Sequence, residues 1–303
     1  MTALAALAAL VKRNIKLYFK DKGMFFSSLI TPVILLVLYA TFLKKVYDDS
    51  FRAAVAAAGA TVSDKLLNGC VGGQLVSSLL AVSCVTVAFC SNLLMIKDKT
   101  SGARHDLTAA PVHYGTLGLG YYLASLASTL IVSFVSLAVC LGYLRAVGWY
   151  ITAADAALMA LDVLLLTMFG TALSSCVNSL LSTDGQASAV GTIVSAGYGF
   201  ICGAYMPISN FGEGLQRVLS FLPGTYGTSL LRNHAMRGVF DAMSGEGFPT
   251  EVVDAIRDSV DCNIYFFDKK VGEAEMYMIL CGSVVLLICL CVALNIRAGR
   301  KKK

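Results

Sequence analysis

The chain reads as an all-α integral membrane protein. Six transmembrane helices are preceded by an N-terminal amphipathic interface helix, and short external re-entrant-type helices come before the last span. Composition is the first observation behind this class: the 303 residues are 57% hydrophobic and only 14% charged, with mean hydropathy +0.72, whereas about a quarter of a soluble domain is charged. The second is length, since a helix crosses a hydrocarbon core of ~30 Å with about 20 apolar residues. Such runs recur near 24–43, 71–96, 116–144, 155–177, 187–206 and 275–296. The third is the placement of Lys and Arg, because an even number of spans puts both termini on one side. Lys12, Arg13, Lys16, Lys20 and Lys22 precede the first span, Lys97, Lys99 and Arg104 separate the second from the third, and Arg297, Arg300, Lys301, Lys302 and Lys303 follow the last. These are short basic segments beside helix ends, where the positive-inside rule operates, so both termini are expected in the cytoplasm. The net charge of +5 is then a signal of topology and not of nucleic-acid binding. Residues 1–303 form one transmembrane domain, expected in a bacterial plasma membrane.

Residues 2–20 are not expected to be a secretory leader, because the basic cluster follows the short apolar stretch instead of preceding it, and 2–22 are read as an interface helix. At 100° per residue Lys12, Arg13, Lys16 and Lys20 share an arc of ~100°, with Leu7, Leu10, Val11, Ile15, Tyr18 and Phe19 over most of the rest. A helix of that kind lies in the membrane interface. A break at 21–23 starts span one, where Pro32 frees a carbonyl that Ser27, Ser28 or Thr31 is placed to satisfy. An external helix and turn are expected over 44–69, and span two carries Ser77, Ser78, Ser83 and Thr86 but no charge.

The largest polar segment on the cytoplasmic side is 97–111, KDKTSGARHDLTAAP, flanked by two spans. Whatever touches it is connected to both. Span three follows and is long, with Gly118, Gly120, Ala124 and Ser128 favouring close helix approach. After a turn over 145–152, span four holds Asp162, an intramembrane carboxylate and therefore a functional candidate; a protonated or water-reached side chain near Asp155 is the other reading. Span five is rich in glycine, with Gly199 and Gly203 among Tyr198, Phe200 and Tyr205, which fits either close packing or a moving gate. The region 207–273 begins with helical spacing at Leu215, Val218, Leu219 and Leu222, a break at Pro223-Gly224 and a second apolar stretch to Arg232, read as two short half-buried helices at the outer surface. Glu246, Glu251, Asp254, Asp258 and Asp261 then mark a small soluble excursion.

Eight of the ten cysteines fall in spans and act as small apolar residues. Cys70 and Cys262 fall on expected external ground, where a disulfide and two unrelated thiols are both open readings. The chain contains no G-x-x-x-x-G-K-[ST] phosphate loop, no H-E-x-x-H and no G-x-S-x-G. None of His105, His113 and His234 has a second ligand at metal-site spacing. Enzymatic activity within this polypeptide is not expected, and neither is a metal or a cofactor.

Two patterns resemble the membrane subunits of ABC type-2 exporters. Gly102, Leu107 and Pro111 reproduce the spacing of that family's cytoplasmic segment after a charged run, and Gly203-Ala-Tyr-Met-Pro207, Leu222-Pro223, Thr225-Tyr226 and Arg232 resemble its outer series. The entrance with Arg13, Lys20-Asp21 and Pro32 is similar too. Ala103, Arg104 and His105 replace the family's usual Thr-Leu-Glu, so this segment is more basic than its relatives. The resemblance implies a homodimeric or pseudo-dimeric permease carrying two cytoplasmic ATPase subunits that bind the ATP and magnesium. It implies that Lys12, Arg13, Lys16, Gly102, Arg104, His105, Asp106, Leu107 and Pro111 form the ATPase-coupling surface. The expected translocation path and gate comprise Ser28, Thr31, Pro32, Asp162, Tyr198, Phe200, Gly203, Tyr205, Pro207, Leu222, Pro223, Tyr226 and Arg232. Few charges line the spans, so an amphipathic drug, peptide or lipid-linked substrate is expected. A non-transporting signalling or resistance component bound to an ATPase, and an ATP-independent facilitator, are the alternatives.

Overall fold

A computed structural model of the chain describes residues 3–57, 62–109, 112–267 and 269–300. Helix α1 (Ala3–Lys20) repeats Leu10, Asn14 and Tyr18 every fourth residue, and this buried stripe lies on one helix face. The Asp21 carboxylate accepts from the Met24 amide at 3.0 Å and starts α2 (Lys22–Leu38), which contains Pro32. Helix α2 runs through a π-helical turn, Tyr39–Leu43, into α3 (Lys44–Ala57). The rod formed by α4 (Asp64–Ser91) and α5 (Leu93–Thr100) is interrupted only at Asn92.

Gly102, at φ +83°, turns the chain into the short α6 (Ala103–Ala109). A left-handed residue there favours glycine because it has no Cβ to clash. Helices α7 (Tyr114–Val147) and α8 (Ala153–Leu180) follow, α8 opened by a capping box between Thr152 and Asp155. Then come α9 (Asp184–Ile201), α10 (Glu213–Leu219), α11 (Pro223–Gly245) and α12 (Thr250–Ser259). A hairpin of β1 (Ile264–Phe266) and β2 (Lys269–Val271), registered Ile264 to Val271, leads into α13 (Glu273–Arg300).

Helix α4 is the axis of the bundle. Almost every residue in it is buried, and it packs against α2, α7, α8, α9 and α11. Its buried length is apolar on every side apart from small hydroxyls and Gln74, as suits a helix surrounded by others. Around it, α1 lies along α7, while α13 packs on α8, α11 and α7.

The fold is all-α and apolar, as expected of a membrane protein, but among the described residues four helices are long and apolar enough to cross a membrane: Asp64–Thr100, Tyr114–Val147, Ala153–Leu180 and Glu273–Arg297. The expected first and fifth spans fall on shorter pieces, the apolar α2 and the 18-residue α9. Three further differences from the sequence reading concern its polar segments. The stretch 97–111 is largely helical, because α5 carries the span-two helix on to Thr100 before the Gly102 turn.

Helix α11 is not a half-buried surface piece ending at Arg232; it reaches Gly245, and residues 224–236 are all buried against α4, α8 and α13. Its Gly, Ser and Thr residues lower its hydropathy but let neighbours approach closely. Asp261, grouped with the solvent-exposed acidic excursion, is buried beside Arg232. Cys70 lies within α4, and both Cys70 and Cys262 are buried free thiols.

Candidate functional site

At the end of the bundle that holds α6, α5 acts as a junction. Arg13 reaches across from α1 and grips Asp98 with both arms, Nη1 to Oδ2 at 2.7 Å and Nη2 to Oδ1 at 3.1 Å. Forked pairing of this kind adds direction to charge. The same carboxylate accepts from the Tyr121 hydroxyl of α7 at 2.6 Å, and Asp98 is buried. Hydrogen bonding to Asp98 pushes the Arg13 guanidinium pKa up, so this cation stays charged at any accessible pH.

One residue before, Lys97 donates to Asp21 at 2.6 Å and ties α5 to the α1–α2 corner; the Lys97 ammonium and then the Met24 amide hold the Asp21 carboxyl below its ordinary value. One residue after, Lys99 donates to the carbonyls of Asn178, Ser179 and Leu181 at 2.7, 3.0 and 2.6 Å, closing the C-terminal end of α8. A cation suits that end, where carbonyls lack helical partners and the dipole is negative. Asn92 adds bonds to Ser174 and Ser175 of α8, at 3.0 and 2.7 Å.

From this junction the chain projects α6. His105 and Asp106 are exposed, whereas Leu107 packs inward against the cluster of Leu10, Met95, Leu117 and Tyr121. Arg104 also points inward, its Nη2 3.4 Å from the Asn295 oxygen of α13. Lys12 and Lys16 are exposed on α1, on the side away from the stripe that meets α7. The structure therefore separates the expected coupling residues. Lys12, Lys16, His105 and Asp106 face outward, and Arg13, Arg104 and Leu107 bind the segment to the body. Pro111 lies outside the described residues.

The expected path residues also divide. Ser28 is buried, its hydroxyl 2.7 Å from that of Tyr18, and Pro32 is buried in α2; the side chain of Thr31 lies outside those described. A groove of about 550 Å³ runs between α2, the α4–α5 rod and α9, lined in part by Ile34, Leu35, Phe89, Leu93, Thr192 and Tyr205. Tyr198 is buried, Phe200 is half exposed, and the Phe200 and Tyr205 rings meet edge to face at 5.1 Å.

Away from that groove, Arg232 organises a buried knot. It donates to the Val260 carbonyl at 2.6 Å and the Gly203 carbonyl at 2.8 Å, and its Nη1 lies 3.5 Å from Asp261. Asp261 in turn accepts from the Ile208 and Ser209 amides just past Pro207. Gly203, at φ +73°, makes the reversal that presents its carbonyl to Arg232. Pro207 and Tyr226 are buried and Leu222 and Pro223 half-buried around this knot, with the Tyr226 hydroxyl donating to the Ser220 carbonyl.

Asp162 forms a second knot. One oxygen lies 2.6 Å from His234 Nδ1, and the other accepts from the Tyr277 hydroxyl at 2.6 Å, joining α8, α11 and α13. None of these three lines the α2–α9 groove. Arg237 continues the set towards Asp155 and Glu273, at 3.3 Å from each.

Sequence reasoning missed Asp98, Lys99, His234, Asp261 and Tyr277. Asp98 and Lys99 read only as part of a charged run beside the span, and their spacing on one turn, each able to face a different neighbour, was the available signal. For His234 and Tyr277 no local signal exists, because their partner is 72 and 115 residues away. Among the described residues no group of three or more His, Cys, Asp or Glu side chains is placed to hold a metal ion.

Residues 5–235, more than half the chain, match the family model described as ABC-2 type transporter. A search of curated proteins finds no match.

Proposed function

The chain belongs to the ABC-2 type transporter family, and from that premise we propose that it is the permease of an ATP-driven exporter, working as a dimer with two cytoplasmic ATPase subunits. Family membership and its apolar helices make it a multi-pass membrane permease component of an ABC transporter, a class that partners with ATPase subunits. In the proposed complex the partners bind ATP and magnesium, and this chain supplies the path and the lever.

The observation that carries the reading is the junction at α5. A force applied to exposed His105 and Asp106 passes through α6 to Asp98, Lys97 and Lys99, and from them to α1, α2, α7 and α8. Coupling between distant sites needs such a contiguous, packed element whose arrangement both sites bias. The bonds to Arg13 and Tyr121 tie α5 directly to α1 and α7.

The path lies between two copies along α2 and α9. Helix α2 leaves Phe26, Ile30, Val33 and Val37 uncovered, and the α2–α9 groove beside them mixes the apolar walls of Ile34, Leu35, Phe89 and Leu93 with the hydroxyls of Ser188, Thr192 and Ser195. That lining suits an amphipathic drug, a peptide or a lipid-linked molecule better than a small ion, which needs rings of charge or carbonyls. The side bearing α6 is cytoplasmic in this reading, as the basic segments beside the helix ends require.

Affinity purification of the chain from its own cells, followed by reconstitution, tests the proposal. An ATPase with a phosphate loop should copurify, and vesicles holding both should move an amphipathic dye only with ATP. An ATPase that copurifies without flux would instead favour a signalling component, and flux without ATP a facilitator.

A further inference from the structure

On the end of the bundle opposite α6, an aromatic cluster stands uncovered beside the first turns of α13. Phe221, after α10, is 61% exposed, and Phe267, at the tip of the hairpin, is 55% exposed. Phe221 meets Phe266 and Phe267 edge to face at 5.1 and 6.0 Å, and Phe266 meets Phe267 at 5.0 Å. Such a patch is unfavourable in water and marks a surface with a partner. The hairpin turn adds a second sign. Phe267 adopts φ +46°, a conformation where Gly, Asn or Asp is preferred and a bulky side chain is an outlier that points towards function.

Continuity identifies the partner. The groove beside the cluster, about 450 Å³, is lined by Phe221, Phe266 and Val271 on one side and by Met278 and Ile279 of α13 on the other. Met278, Val285 and Leu286 are all more than half exposed and begin the uncovered apolar face of a helix long and apolar enough to cross the membrane. The aromatic cluster is thus level with the first turns of that helix, the depth at which amphipathic rings collect in membrane proteins. Lys269 and Lys270 stand exposed on β2, opposite Phe266 and Tyr265 across the ladder; Lys269 also meets Glu275 at 3.3 Å. Rings and ammonium groups together match the boundary between acyl chains and lipid phosphates.

We propose that the hairpin and the end of α10 form a membrane anchor, with Phe221, Phe266 and Phe267 seated at the headgroup–acyl boundary of the leaflet that α13 enters, and with Lys269 and Lys270 on lipid phosphates. It rests on α13 crossing the membrane and not on ATP coupling, so it stands or falls separately from the exporter reading. The anchor would hold the α10–α12 cap at a fixed depth while the helices beneath it move.

Tryptophan depth-quenching on the full chain in vesicles tests it. The single native Trp149 is replaced by Phe, and tryptophan is placed at Phe267, at Phe266 as a second choice should the first fail to fold, or at exposed Glu246 as a control on the same end. The expected result is blue-shifted emission from the hairpin tryptophan, quenched by brominated phospholipid and shielded from iodide, with the reverse at 246. Excess quenching by brominated anionic lipid over brominated zwitterionic lipid should vanish in Lys269→Gln/Lys270→Gln. Iodide quenching at 267 equal to that at 246 would overturn the proposal, as would shielding from both quenchers, which would mean that protein, such as a second copy, covers the patch.

Discussion

Asp98 is the residue on which the junction at the α6 end turns, since it satisfies Arg13 and Tyr121 at once. Asp98→Ala strands a cation and a hydroxyl in a largely buried place, and a partly buried pair broken in this way should cost about 2 kcal/mol. The expected outcome is a lower melting temperature in detergent, measured by tryptophan fluorescence, with Asp98→Asn falling between the two.

Asp162 invites the opposite comparison. Asn at this position keeps an oxygen for Tyr277 and offers an amide to His234 Nδ1 in its other tautomer, so Asp162→Asn should retain stability within about 1 kcal/mol. Asp162→Ala leaves both partners unsatisfied and should lose roughly 2–4 kcal/mol. Transport by Asp162→Asn should match the parent in a vesicle flux assay, because the knot holds α8, α11 and α13 together and lies away from the groove. Loss of flux in a stable Asp162→Asn protein would return this carboxylate to the path.

Among the elements, α5 and α8 depend on one another. Three carbonyls at the end of α8 share the Lys99 ammonium, and such C-terminal contacts are each worth up to about 1 kcal/mol. In Lys99→Met the last turn of α8 should open, seen as faster amide hydrogen exchange over residues 176–181 while the middle of α8 is unchanged.

Legibility also varied by element. The long apolar helices could be read because twenty apolar residues in a row have few alternatives, and α1 because its charges share a face. Helix α11 could not, since Thr225, Thr228, Ser229 and Arg232 make a buried helix look like a surface one until their partners are known. Arg232 satisfies carbonyls at Gly203 and Val260, 29 and 28 residues away, and no local pattern announces which faces will meet.

Across the whole molecule, the two ends are built differently. The α6 end is a set of charged links gathered at α5, with His105 and Asp106 left outward. The other end is a cap in which Arg232 and Asp261 lock the α9–α10 connection against the end of α12. This asymmetry suits a machine driven from one side and braced on the other. The sequence pattern singled out Gly102 and Leu107 at the α6 end, where Gly102 makes the turn and Leu107 packs α6 against the body.

The most direct measurement is site-specific photocrosslinking in native membranes. A benzophenone amino acid replaces Asp106 on α6 or, as a control on the opposite end, Glu246. The account predicts an ATP-hydrolysing subunit captured from position 106 and not from 246, with the yield changing when a non-hydrolysable nucleotide is added. Capture from 246 alone, or a copurifying ATPase never captured from 106, would contradict it.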